Sequence, residues 1–388
     1  MTLTGDQLNN IEMDETLKQQ YIAELRLGRG WLAYLLYDFY GPITIADLQT
    51  LKDPMAEKIL PRLSEEEMQT YIETELTEAS KILPANYKKG DKNYGRFTAG
   101  LAHTVLLKLY MLTKQWDKAE AEGRELMKPE YGFELVPEYK DIFTLANEKN
   151  PEIIWACQCA KGYQEHKWQP HVLPNDYNFT SYLDKMTKWN GYKISWDFMQ
   201  TFDPADRRLL TIAYEYTSKD GVVHNEKNDR PDPSAQLYLG AVPLKYEFDP
   251  DCTGEDSHID WIIYRYADVL TLTAEAIVRN KNAVTQEAVD LLNEVRTRSL
   301  PGKGYSLQDL NSVDKFLKAV LDERGWELYF EGNRRQDLIR YGLFVEAIKK
   351  KAQSMGKQTL VDEDRYRFPI PQDIIDEGQG IIKQNPGY

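Results

Sequence analysis

The chain has 388 residues and a net charge of −14, from 48 Lys and Arg against 62 Asp and Glu. That charge repels a phosphate backbone and excludes nucleic acid as a main partner, and no apolar run approaches the roughly 20 residues that cross a bilayer. The distinctive feature is aromatic content, with 25 Tyr, 12 Phe and 8 Trp, which suits a ring-filled helical core or a surface that stacks on flat ligands.

Met1 to Tyr21 carries Asp6, Glu12, Asp14 and Glu15 and no apolar export core, so the sequence as written shows no export signal. Helical periodicity begins at Tyr21, Ile22 and Leu25 and continues through Trp31, Leu35 and Phe39 to a stop at Gly41-Pro42. Ser64 followed by Glu67 predicts a capping box, with Met68, Tyr71, Ile72, Leu76 and Ala79 as the apolar stripe of the helix it opens. Two striped helices, Phe97 to Leu112 and Trp116 to Leu126, are joined by a short link that forces them antiparallel. The same hairpin returns at Tyr266 to Val278 and Thr285 to Val295, with Ala276 and Ala288 where two helices touch. These offsets resemble degenerate tetratricopeptide pairs. The fold expected is mainly α: a tetratricopeptide-like helical-hairpin scaffold interrupted by a long loop-rich insertion.

That interruption, residues 161–262, holds seven prolines and five glycines, four of the tryptophans and twelve further Tyr or Phe residues. Irregular segments on a rigid scaffold are where binding usually sits. The chain is therefore divided into an N-terminal helical part (1–160), the aromatic insertion (161–262) and a C-terminal helical part (263–388). Helices are predicted again from Val313 to Tyr329 and from Arg334 to Lys350. Prolines 369, 371 and 386 then predict an extended tail lying against the body.

Chemistry has few handles. The five histidines form no metal spacing, and no nucleophile elbow or phosphate-binding glycine loop occurs. Cys157 and Cys159 fall on a predicted strand and read with Cys252 as free thiols rather than a disulfide framework. No EF-hand spacing is present, although Asp249, Asp251, Glu255 and Asp256 could meet in space. Glu323, Glu327 and Glu331 recur every four residues, which brings them onto one face of a predicted helix. A glycosidase needs two such carboxylates; an Arg–Glu network with Arg296, Arg298, Arg324, Arg334 and Arg335 is the stronger reading. For ligand binding, a sugar ring stacks its apolar face on Trp or Tyr while nearby polar groups take the hydroxyls. Trp168, Tyr177, Trp189 and Tyr192 are the candidates, and no cofactor is expected.

The run Glu327-Leu328-Tyr329-Phe330-Glu331-Gly332-Asn333-Arg334-Arg335-Gln336-Asp337-Leu338-Ile339-Arg340-Tyr341-Gly342 closely resembles the E-L-x-F-E-G-x-R-x-x-D-L-x-R-x-G stretch of the SusD/RagB family. Arg265-Tyr266-Ala267-Asp268 with Ala274-Glu275-Ala276, Leu292 to Arg298, and the ending Pro369-Ile370-Pro371 with Gln384 to Tyr388 agree with it. The likeness extends loosely upstream through Arg29 to Pro42 and Gly95 to Leu126. It implies a non-catalytic outer-membrane surface lipoprotein that captures glycans for a partner TonB-dependent transporter of the SusC type. Arg265, Asp268, Glu275, Glu327, Glu331, Arg334 and Asp337 are then scaffold. Family members begin with an export signal and a lipidated cysteine. With Cys157 the first cysteine here, the expectation is that an N-terminal part carrying the lipid anchor is missing from this sequence. A tetratricopeptide-like scaffold for proteins or peptides is the alternative, ahead of a glycosidase.

Overall fold

The computed structural model describes residues 11–53, 55, 58–177, 185–252, 254–359, 361–362 and 364–388. In chain order the helices and strands begin with α1 (Glu15–Tyr40), α2 (Leu48–Lys52), α3 (Glu65–Ser80), α4 (Ala99–Leu112), α5 (Trp116–Leu126) and β1 (Ile153–Cys157). Short pieces follow: α6 (Trp168–Val172), α7 (Trp196–Met199), β2 (Ile212–Ala213), β3 (Glu215–Thr217), β4 (Val223–Asn225), α8 (Glu226–Asp229), β5 (Val242–Pro243) and β6 (Trp261–Arg265). Longer helices return as α9 (Tyr266–Lys281), α10 (Gln286–Ser299) and α11 (Val313–Glu327). They are followed by α12 (Arg334–Arg340), α13 (Phe344–Ser354) and α14 (Gln372–Glu377).

These elements group into two units, and the grouping is not sequential. One comprises Met1–Tyr87, Arg96–Gly132 and Asn333–Tyr388; the other comprises Lys88–Gly95 and Phe133–Gly332. The breaks fall elsewhere than the expected 160/161 and 262/263.

In the first unit α1, α3, α4 and α5 pack as successive neighbours. The capping box at α3 forms: the Ser64 hydroxyl accepts the Glu67 N–H at 3.2 Å and the Glu67 carboxylate accepts the Ser64 N–H at 2.8 Å, satisfying two otherwise orphaned donors. The α3 stripe of Met68, Ile72, Leu76 and Ala79 is wholly buried. Helix α4 is buried almost all round, so its periodicity is weak although its identity is not. The C-terminal tail docks on α1, with Phe368 stacked on Phe39 at 5.6 Å and the Asn385 amide donating to the Tyr40 carbonyl at 2.9 Å. It is not extended throughout, because α14 forms directly after Pro371. A proline cannot sit inside a helix without losing a bond, but it can precede one.

In the second unit α9 and α10 form the expected hairpin and α11 packs on both. Ile277, Ala288, Leu292, Phe316 and Val320 make its helical core. Strand β1 pairs antiparallel with β6, Ile153 facing Arg265, and two shorter ribbons, β2–β5 and β3–β4, lie within the insertion. A second core runs through them, including Tyr139, Phe143, Trp168, Leu237, Val242, Tyr246 and Tyr329. Gly240 is one fixed point of the insertion: at φ 147° a Cβ there would lie 1.8 Å from the Ile194 carbonyl oxygen. Ile194 and Ala241 exchange backbone hydrogen bonds beside it at 2.8 and 2.9 Å.

Two expected helices are shorter than their periodicity. The one from Val313 ends at Glu327, and Phe330 takes a left-handed φ of 57°. The stretch from Arg334 to Lys350 breaks into α12 and α13 around Gly342 at φ 70°. Cys157, Cys159 and Cys252 are free thiols. Among the described residues no helix is long and apolar enough to cross a membrane.

Candidate ligand-binding site

The glutamate row resolves into a buried charge network within the second unit. Arg265 bonds Glu327 at 2.5 Å, Glu152 at 2.7 Å and Glu331 at 2.7 Å. Arg208 bonds Asp206 at 2.7 Å, Glu323 at 2.6 Å and Glu327 at 3.2 Å. Arg298 joins Glu152 to Glu327, Arg296 joins Glu323 at 3.0 Å, and Lys245 closes on Glu331 at 2.5 Å. Burial alone would raise the Glu327 carboxyl, but the guanidiniums of Arg298, Arg265 and Arg208 outweigh it and hold it well below the usual carboxylate range. Lys245 lies over the rings of Tyr139, Phe143 and Tyr329, and burial pushes it down to about 8.

Glu323 and Glu327 have no exposed side-chain surface, so they do not form an open acid pair as a glycosidase would require. Glu331 reaches the network from the turn after α11 rather than from the helix face expected for it. Of the expected cations Arg296 and Arg298 take part. Arg324 instead bonds Asp268 at 2.7 Å, and Arg335 bonds Asp38 at 2.8 Å in the first unit. Glu275 pairs with Arg279, and Asp337 with Arg340. Arg208 and Lys245 had no sequence signal, since both come from the aperiodic insertion. The loop carboxylates also found partners: Asp249 bonds His258 at 2.9 Å and Glu255 bonds Lys167 at 2.6 Å. Among the described residues no cluster of three or more metal-ligating side chains occurs.

The aromatic candidates separate by burial. Tyr177 is 2 % exposed, packed on Tyr216 and Phe248, and Trp168 is 7 % exposed. Neither ring has a free face, which corrects their reading as stacking platforms. Trp189 and Tyr192 are 39 % and 48 % exposed. Their placement is dictated by α6. The N–H groups of Trp189, Asn190, Gly191 and Tyr192 donate to the carbonyls of Pro170, Leu173, His171 and His171 at 2.7 to 2.9 Å, so the loop takes up acceptors that the short helix leaves unpaired. Asn190 accepts the left-handed φ of 53° that this requires. Gly191 lies so close that a Cβ would sit 3.1 Å from the His171 oxygen.

The loop and helix together build a patch that sequence reading did not assemble, because its third member, His171, carries no motif. His171 stacks on Tyr192 at 5.0 Å and meets Trp189 edge-on at 4.7 Å. Trp168 lies under Tyr192 at 6.4 Å and is itself packed against Trp261, Tyr246 and Phe330. Lys167 sits 5.9 Å from the Trp189 ring centre, and Lys193, whose ammonium donates to the Val172 carbonyl at 3.2 Å, is pushed down to about 8 by burial. The patch therefore offers two half-exposed rings on a rigid aromatic support, with a charged pair, Lys167 and Glu255, at its edge.

Fold and patch define a class: a tetratricopeptide-like helical protein that presents rings from an irregular insertion. The SusD family model matches residues 249–388, and the relatives and solved structures below are SusD-like proteins. SusD-like protein P25 of Formosa agariphila is 24% identical, over 98% of this chain and 76% of its own length. Starch-binding protein SusD of Bacteroides thetaiotaomicron is 23% identical, over 99% and 75%. The solved structure of surface glycan-binding protein A from Bacteroides thetaiotaomicron in complex with laminarihexaose has the same fold. It superposes with a TM-score of 0.75 at 18% identity, covering 98% of this chain and 81% of that one.

Proposed function

We propose that the chain is a non-catalytic glycan-binding protein of the bacterial cell surface. It captures oligo- or polysaccharide on the Trp189–His171–Tyr192 patch and delivers it to a SusC-like TonB-dependent transporter of the outer membrane. The observation that carries this reading is the patch, whose rings are held half-exposed by backbone bonds to α6. A pyranose presents an apolar face and an equatorial rim of hydroxyls, which such a surface meets with stacking at the centre and polar groups at the edge. The names of the starch-binding relative and of the laminarihexaose-bound neighbour support a sugar as the ligand.

Stacking adds about 0.5–1.5 kcal/mol per aromatic contact beyond area burial, so binding to a short oligosaccharide is weak and a polymer gains from repeated contacts. Affinity electrophoresis against plant and host polysaccharides, with a reducing-sugar assay on the same mixtures, tests the proposal. Retardation by one polymer without new reducing ends is expected, with Trp189→Ala and Tyr192→Ala each weakening it. Release of reducing sugar would overturn the non-catalytic reading. Unretarded migration in every gel would leave the protein-interaction scaffold in its place. The transporter step is checked separately by co-purification with the partner barrel from detergent-solubilised membranes.

A further inference from the structure

A second concave surface lies in the same unit, built from residues outside the patch. It is a groove of about 720 Å³, open along its length, within the roughly 300–1,000 Å³ typical of small-ligand sites. Tyr214 stands at the junction of β2 and β3 and is 51 % exposed. The strands on either side are each paired, β2 with β5 and β3 with β4, so the backbone that carries the ring is fixed. Trp196 lines the groove too, but its ring is packed and its indole N–H is given to the Leu237 carbonyl at 2.9 Å.

The polar lining is pre-arranged. One oxygen of Glu226 accepts from the Gln200 amide at 2.8 Å and from Arg230 at 2.7 Å. Arg230 is also bonded to Asp197 at 2.8 Å. One oxygen of Glu215 accepts from the Asn225 amide at 2.9 Å, and the Asn225 oxygen in turn caps α8. The second oxygen of each carboxylate, the Gln200 carbonyl oxygen and the Lys227 ammonium have no hydrogen-bond partner among the described residues. The lining thus combines acceptors and a donor with one exposed tyrosine. The charges of the lining cancel: Glu215 and Glu226 against Lys227 and Arg230.

We propose that this groove is a second carbohydrate subsite, selective for neutral over acidic sugars. A hydroxyl both donates and accepts, so a neutral saccharide satisfies carboxylate oxygens, amide carbonyl and ammonium together while its apolar face lies on Tyr214. A uronate would gain Lys227 but meet Glu215 and Glu226, and a cationic ligand would meet Arg230 and Lys227. Fixing the lining in advance lowers the ordering cost of binding, which suits a site that has only one exposed ring.

The inference rests on the glycan-binding reading above, and one experiment separates the two. An array of neutral and uronic-acid oligosaccharides is probed with wild type, Trp189→Ala, Tyr214→Ala and Lys227→Met, and the strongest hit is titrated by calorimetry. Both groove positions are exposed, so thermal melts are expected to match wild type. The expected result is a neutral hit with two sites per chain, falling to one in Tyr214→Ala, and groove affinity about tenfold weaker in Lys227→Met. A wild-type stoichiometry and affinity in both groove variants, with binding lost in Trp189→Ala, would overturn the groove and leave the patch. Loss in Tyr214→Ala with Trp189→Ala unaffected would keep the groove and overturn the patch. A groove-dependent preference for uronic acids would refute the neutral class, and an array with no hit would remove both sites.

Discussion

Glu327→Gln is the sharpest test of how the second unit is held together. Among the described residues the network holds five cations (Arg208, Lys245, Arg265, Arg296, Arg298) against five carboxylates (Glu152, Asp206, Glu323, Glu327, Glu331), whose charges balance. Glutamine at 327 keeps the shape and strands one positive charge among three guanidiniums, none of them more than 4 % exposed. Removing one member of a buried pair costs about 3–5 kcal/mol because the other charge is left uncompensated, a large part of the roughly 5–15 kcal/mol that holds a domain. Urea unfolding followed by tryptophan fluorescence measures it. The control is Glu138→Gln, which breaks a half-exposed pair with Arg207 and is expected to stay within about 1 kcal/mol. A Glu327→Gln effect no larger than the control would refute the argument that the network locks this unit. The acid limb supplies a second check. The folded Glu327 carboxyl lies below its ordinary value, so its contribution is full above the unfolded value of about 4.3 and is lost as pH falls below it. The gap between wild type and variant therefore narrows on acidification.

Other expectations follow from the insertion. Gly240→Ala is predicted to destabilise severely, by about 4 kcal/mol or more, since its Cβ would meet the backbone oxygen of Ile194 rather than a movable side chain; a melting curve within a few degrees of wild type would disprove the contact. Trp168→Ala is expected to cost about 3–5 kcal/mol, because the ring packs on Trp261, Tyr246 and Phe330, whereas Trp189→Ala leaves the melt almost unchanged and weakens glycan binding. Burial lowers the His166 pKa from the ordinary 6.5. The unfolded chain then binds the proton more readily, so stability is lost as pH falls from about 6.5 towards the folded value. NMR titration of the His166 ring should show a midpoint below 6.5, and a midpoint above it would reverse the sign.

Local signals carried much of the fold. Ser64 and Glu67 announce α3 because a capping box is complete within four residues, and the α4–α5 and α9–α10 hairpins are legible from stripe and link alone. Where the periodicity misled, a backbone event intervened that a stripe does not encode: Phe330 turning left-handed after α11, and Gly342 separating α12 from α13. The candidate site was half legible. Trp189 and Tyr192 were found by composition, but nothing in an aperiodic stretch distinguishes their exposure from the burial of Trp168 and Tyr177. His171 is placed by partners distant in sequence, Trp189 and Tyr192. The same limit hid Arg208 and Lys245, whose counter-charges lie on α11 and the turn after it.

The position of those two cations bears on how the protein can change over evolutionary time. Among the described residues, the insertion touches the network through three, Asp206, Arg208 and Lys245. The first two neutralise each other, and the third neutralises Glu331. Among the described residues, the stretches that carry the patch and the groove, from Lys167 to Gln200 and from Tyr214 to Pro231, contribute no charge to it. Loop sequence can therefore turn over, or be exchanged between relatives as a cassette, without disturbing the electrostatic balance of the body, provided the three anchors travel with it. A chimera that moved the loops and lost Lys245 would inherit a new binding surface on an unbalanced foundation.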